Sequence, residues 1–171
     1  MTSSSVTLRP CVAEHILLLI ESQERFLAAS GLELADGLRG FYVSAEVSSE
    51  WLAALQNSTG ADPWRHGFFA IHDDSGVVIG SAGFKGAPDD DGIVEIAYGI
   101  VPAFEGRGYA TEVSRALIAF AFGQQEVNVI RAHTRPDNRA SARVLEKNGF
   151  ALRGEVMDPE DGLLLEWELG R

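Results

Sequence analysis

Cysteine occurs once in the 171 residues, at Cys11, so no disulfide can form within the chain. The four histidines (His15, His66, His72 and His133) stand at no metal-ligand spacing to Cys11 or to one another, and no metal is expected. Long hydrophobic runs are also missing. The longest near the start, HILLLI, is bracketed by Glu14 and Glu21 and is too short to cross a bilayer. No basic stretch precedes it as a secretory signal requires. A reducing cytoplasm and no membrane partner are the expectation. Positive charge is scarce, with 14 Lys and Arg against 25 Asp and Glu and a net charge of −11. Sequence-independent nucleic-acid affinity comes mostly from cations neutralising phosphates, so this balance argues against it. A cationic small molecule or peptide end is easier to attract, although acidic soluble chains are common. No Pro/Gly/Ser-rich linker and no internal repeat divide the chain, which is long enough for one sizeable core. One domain over 6–171 is expected, and only MTSSS at the start reads as loose.

What is present alternates in period. SVTLRP is a short β-prone run. Val12, Ile16, Leu19, Ile20 and Leu27 then recur at helical spacing and predict one helix to about Ala29. A glycine-marked connection (Gly31, Gly37, Gly40) leads to a second amphipathic segment with Val47, Trp51 and Leu55 on one face, ending near 57–60. GFFAIHD and VVIGSAGF, joined across 73–76, read as a hairpin, and APDDDG returns the chain into IVEIAYGIV. A helix lined by Val113, Leu117, Phe120 and Ala121 precedes the strand VNVIRAHT, which implies a parallel pair through a crossover. Asp137 or Asn138 caps a short helix that Asn148 and Gly149 end. FALRGEVM and LLLEWEL form a last hairpin. The order predicts an α/β (α+β) fold, a mixed and mostly antiparallel sheet with helices packed on its faces.

Between IVEIAYGIV and the long helix lies PAFEGRGYATE, residues 102–112. A strand entering Gly106-Arg107-Gly108 and then a helix aims free backbone N–H groups at one point, and such a point wants an anion. A dinucleotide fingerprint fails because position 111 is Thr and Asn128 stands where an acidic ribose ligand belongs. A Walker loop and a nucleophile elbow are absent. The glycines either cradle a phosphate or only make a tight turn. A second segment, Asn138-Arg139-Ala140-Ser141 followed by Val144, Leu145, Lys147, Gly149 and Phe150, follows the next strand and faces the same sheet end.

Together these segments resemble the GNAT superfamily of acetyl-CoA-dependent N-acetyltransferases, in particular its RimJ/RimL-like branch. The likeness runs in element order from about Val6 to Glu168 and is specific between Ile93 and Phe150. It implies a GNAT-like sheet with one splayed parallel strand pair and acetyl-CoA as co-substrate. The pyrophosphate would rest on Gly106, Arg107, Gly108 and the first-turn residues Tyr109, Ala110 and Thr111. The pantetheine arm would pair with the backbone of Ile100 and Val101 and touch Asn138. Glu105 departs from the family pattern, in which Gln or Arg is usual there; its backbone N–H would still serve, its carboxylate would face water, and Arg107 could offset its charge.

Transfer from a thioester to an amine needs a neutral amine, a polarised carbonyl and a proton for the leaving thiolate. No covalent intermediate is required, and Cys11 is not expected to act. Glu95, acidic within an apolar strand, is the candidate base or else an exposed strand residue, with His133 second. The tyrosine that many family members use as acid is Leu145 here, and Ser141 takes its place as candidate donor or else only lets the helix pack near the coenzyme. The expected activity is acetylation of a primary amine, of a protein N-terminus or a small molecule, in a ternary complex by a monomer or homodimer. The rival is an acyl-CoA-binding sensor module of the same fold without turnover.

Overall fold

The computed structural model describes residues 5–44 and 47–171. Strand β1 (Val6–Pro10) is followed by helices α1 (Ala13–Glu21), α2 (Gln23–Ser30), α3 (Gly40–Val43) and α4 (Ser49–Gln56). The meander β2 (Phe68–His72), β3 (Val78–Phe84) and β4 (Ile93–Ile100) comes next. A 3-10 turn (Pro102–Phe104), α5 (Tyr109–Phe122), β5 (Val129–Thr134), α6 (Arg139–Lys147), β6 (Ala151–Asp158) and β7 (Gly162–Gly170) complete the chain.

The strands form one seven-stranded sheet in the order β1-β2-β3-β4-β5-β7-β6. Its pairings are antiparallel except β4 with β5. This is the expected mixed, mostly antiparallel sheet. Adjacent residues of β2 show how both faces are covered, because successive side chains in a strand point to opposite sides. Phe69 packs edge-to-face on Phe26 of α2 and on Tyr42 of α3, at 5.5 and 6.0 Å between ring centroids. Phe68 packs on Phe120 of α5 at 5.3 Å.

The helix expected from Val12 to about Ala29 is broken at Ser22, whose backbone is extended (φ −161°, ψ 125°). Ser22 closes α1 and caps α2, its Oγ accepting from Arg25 N at 3.3 Å. Serine competes for backbone donors in this way and so favours caps over helix interiors. The carbonyls freed at the end of α1 are taken from outside the helix, with Arg39 Nε donating to Leu19 O at 2.9 Å and its Nη2 to Ile20 O. Sequence periodicity also missed α3, and it set Val47 on a helix that begins only at Ser49. Ser48 caps α4 through Trp51 N at 3.1 Å, and the buried Leu55 anchors it.

Candidate active site

β4 and β5 touch only briefly. Their parallel register covers Ile93 with Val129, Val94 with Ile130 and Glu95 with Arg131. Beyond Glu95, β4 stays with β3 while β5 continues along β7 to Thr134, and a slot opens between them. Glu95 O accepts from Lys85 N at 2.9 Å and Val101 N donates to Ile79 O at 2.9 Å, so the odd residues of β4 turn their backbone groups to β3. By strand alternation Ile96, Tyr98 and Ile100 turn theirs into the slot. Ile100 therefore has a free backbone edge. Val101 does not, since its N–H is already bonded and its side chain is fully buried.

At the mouth of the slot the chain turns through Gly106 (φ +75°) and Gly108 (φ +85°), conformations that disfavour any residue with a Cβ. A Cβ at either would meet no protein atom within 4 Å. Gly108 caps α5, and among the described residues the N–H groups of Tyr109, Ala110 and Thr111 have no partner. Free donors at the start of a helix favour negative charge. The Tyr109 hydroxyl meets His72 Nε2 at 3.0 Å, and His72 Nδ1 meets Ser75 Oγ at 2.8 Å. Asn148 Nδ2 donates to Thr111 O at 3.2 Å. These bonds fix the helix start to the β2–β3 turn and to the end of α6.

Glu105 differs from expectation. Its N–H donates to Pro102 O at 3.2 Å inside the turn, so that donor is spent and what Glu105 brings to the groove wall is its exposed carboxylate. Arg107 makes no ion pair with it among the described residues. The Arg107 guanidinium lies over the Phe104 ring at 5.3 Å instead, and Arg107 stands outside the groove lining. Ile100, Gly106, Gly108, Tyr109, Ala110, Thr111, Asn138 and Ser141 all line this groove, whose volume is about 810 Å³.

A second cavity, of about 290 Å³, lies across the splay and holds Glu95, Lys85 and His133. Glu95 Oε2 is 2.8 Å from Lys85 Nζ and 3.0 Å from His133 Nδ1. Burial pushes the Glu95 carboxyl up, but hydrogen bonds and charge from Lys85 and His133 outweigh it and hold the group below its ordinary value. His133 Nε2 faces Glu166 Oε1 at 3.3 Å, and Arg131 reaches both Glu166 and Glu168 at 3.4 and 2.8 Å. Glu95 is thus an ionised carboxylate clamped between two nitrogens, not a lone acid in an apolar strand.

The groove and the second cavity meet at Tyr98, Asn138 and Ser141, which line both. Asn138 Oδ1 accepts from Ser141 N at 3.1 Å and caps α6, leaving its Nδ2 without a partner among the described residues. The Ser141 and Tyr98 hydroxyls also have none there. Burial pushes the Tyr98 phenol up to about 12, so it keeps its proton at neutral pH. Sequence reasoning passed over Tyr98; its only signal was alternation with Ile96 and Ile100, and that gains meaning only once the edge of β4 is known to be free. Leu145 is buried at the wall of the second cavity. Cys11 is fully buried, its thiol pushed far up by desolvation, and it lines neither the groove nor the second cavity. Among the described residues no group of three or more His, Cys, Asp or Glu could hold a metal, and no helix is long and apolar enough to cross a membrane.

Known proteins resemble this chain in sequence and in fold. A curated relative, the uncharacterized N-acetyltransferase YjdG of Bacillus subtilis (strain 168), is 30% identical over 112 residues, 66% of this chain and 64% of that protein. The chain thus spans less than two thirds of that relative's length. Among solved structures, AAC(6')-Ib in complex with ribostamycin and coenzyme A superposes with a TM-score of 0.63 at 24% identity, covering 98% of this chain and 94% of that one. The ribosomal-protein-S5-alanine acetyltransferase from Vibrio fischeri superposes with a TM-score of 0.66 at 15% identity, covering 99% and 95%. At these identities the two structures speak for the fold alone. The family described as acetyltransferase (GNAT) domain matches residues 6–151, which take in the splayed strands, the glycine turn and α6, and the chain belongs to that family.

Proposed function

We propose that this protein is an acetyl-CoA-dependent N-acetyltransferase of the RimJ/RimL-like branch, one domain over 6–171, acting in the cytoplasm on a primary amine by direct attack in a ternary complex. One observation carries the reading: a groove with unpaired N–H groups and a cavity with an ionised carboxylate meet at Tyr98, Asn138 and Ser141. The groove fits a pyrophosphate at the start of α5 and an extended arm along Tyr98 and Ile100. The junction is then where a thioester and an amine would face each other. The branch assignment rests on the Asn138–Ser141 and Lys147–Phe150 residues.

An α-amino group with a pKa of about 8 is partly neutral near pH 7, so the base need not be strong. Glu95 accepts the amine proton through water, while Lys85 and His133 keep the carboxylate ionised and oriented. The nitrogen lone pair attacks the thioester carbonyl carbon, and the C–S bond breaks as the tetrahedral intermediate collapses. The departing sulfur takes a proton from Tyr98 or Ser141, the two free hydroxyls at the junction.

The test combines calorimetric acetyl-CoA binding with thiol release across an amine panel. Glu95→Gln should lower kcat by about 10²-fold with little change in acetyl-CoA affinity, and higher pH should partly restore it. Tyr98→Phe and Ser141→Ala should each cost less, because a thiolate leaves fairly well unprotonated. Binding without turnover of any amine would refute the enzymatic reading in favour of a sensor module. Turnover unchanged in Glu95→Gln at every pH would remove Glu95 and make His133 the next residue to test.

A further inference from the structure

Each carboxylate that lines the second cavity already has a cation within reach. Glu95 Oε2 is 2.8 Å from Lys85 Nζ, and Asp161 lies 3.6 Å from Arg135. The lining pairs Lys85 and Arg135 against Glu95 and Asp161, so the cavity has no surplus of negative charge despite the chain's net −11. A polycationic acceptor would bury several ammonium groups there without partners, and unpaired buried charge is costly. An acceptor with one amine brings a single charge, which is lost once its proton is accepted, and so meets a smaller penalty.

A third cavity, of about 420 Å³, adjoins this one. It is walled by Trp51 and Leu55 of α4, Trp64 ahead of β2, and Phe84 with Lys85 at the end of β3. Lys85 lines both cavities. With its ammonium on Glu95 at 2.8 Å, the aliphatic stem is left as the shared wall, in the way long basic side chains cover apolar surface. Trp64 stands edge-to-face on Phe84 at 4.7 Å and on Phe120 at 5.3 Å, which gives the third cavity a rigid aromatic side. Trp51 is half-buried and tilted against Tyr42 at 6.5 Å. From the level of Tyr98, at the junction with the groove, to that of Glu95 and Lys85 is three residues of strand, roughly 10 Å at about 3.3 Å each.

Resting on the acetyltransferase reading above, we propose that the acceptor is a monoamine with an aromatic ring on a short chain, its nitrogen at the junction lined by Tyr98, Asn138 and Ser141 and its ring past the Lys85 stem between Trp51 and Trp64. Aromatic rings in such a cavity take offset or edge-to-face positions and lose little freedom on binding. The charge balance excludes polycations, and the aromatic cavity selects the ring over a plain alkyl chain.

The experiment measures thiol release from acetyl-CoA with 4-phenylbutylamine, phenylalanine, butylamine and an aminoglycoside, alongside calorimetric acetyl-CoA binding. The expected order in kcat/KM places 4-phenylbutylamine at least ~10-fold above butylamine, with the aminoglycoside lowest. Phenylalanine tells whether a carboxylate beside the amine is tolerated; turnover above butylamine supports the ring as the selected feature, and turnover below it with no gain from 4-phenylbutylamine opposes it. Trp51→Ala should reduce the ratio of kcat/KM for 4-phenylbutylamine over butylamine by about 10-fold. Ala54→Trp, at an exposed residue bordering the third cavity, should reduce the same ratio without touching the core. An aminoglycoside that outperforms both amines, or a ratio unmoved in both variants, overturns the proposal while leaving the acetyltransferase reading intact. Failure of acetyl-CoA to bind, or binding without any turnover, instead overturns the reading on which it rests.

Discussion

Replacing Gly108 by alanine separates what the glycine does for the backbone from what it does for a ligand, provided a matched control is made. Gly31, at the end of α2, is that control: its φ is +75° against +85° at Gly108, and a Cβ at either position meets no protein atom within 4 Å. A Cβ in the left-handed region costs about 1–2 kcal/mol, and the stiffer unfolded chain returns about 0.4–1 kcal/mol. Each variant should therefore lose about 1 kcal/mol, a fall in Tm of roughly 2–4 °C for a chain of this size. Only Gly108→Ala sets a methyl group on the turn that leads into the free N–H groups of α5. Losing one charge-assisted hydrogen bond to phosphate, about 1.5–3 kcal/mol, should weaken acetyl-CoA binding by about 10-fold to 100-fold. Alanine serves better than valine here because a β-branched residue at this φ would confuse folding with binding. Melting curves and calorimetry on both variants decide the matter. Equal affinity in the two, or equal loss in the two, refutes a phosphate cradle at Gly108.

Other perturbations read different parts of the structure. Glu105→Gln removes an exposed carboxylate from the groove wall that Arg107 does not neutralise; it should tighten acetyl-CoA binding by on the order of a kcal/mol, less as salt rises, and a weaker complex would show that the side chain braces the turn. Because the Glu95 carboxyl is held below its ordinary 4.5 in the folded chain, its contribution to stability is whole above that value and is lost as pH falls through the folded value. The Tm difference between wild type and Glu95→Gln should accordingly shrink from pH 7 to below pH 4, and a constant difference would contradict the clamp by Lys85 and His133. Thr134→Val leaves the buried Trp167 Nε1, now 3.0 Å from Thr134 Oγ1, without an acceptor; about 1–3 kcal/mol should be lost, and a melting shift under about 1 °C would show that the indole finds another partner.

Much of this was legible along the chain because it is local. Hairpin turns, strand alternation, the cap at Asn138 and the glycine turn before α5 each depend on residues a few positions apart, and their chemistry is written in consecutive letters. Ser22 shows the limit: the apolar spacing runs straight through it, and the break is completed by Arg39, which reaches back to the carbonyls of Leu19 and Ile20. The site shows the limit more sharply. Glu95 looked like a solitary acid in an apolar strand, and folding gave it Lys85, just past the end of β3, and His133 from β5 as partners. Val101 and Tyr98 exchanged importance because the odd residues of β4 bond to β3 while the even ones face a slot. That slot exists only because β5, after Arg131, follows β7 rather than β4. The sequence determined which elements form and which residues carry chemistry; lateral contacts between segments tens of residues apart decided which of those groups meet, and only the folded sheet brings such segments within a few ångströms.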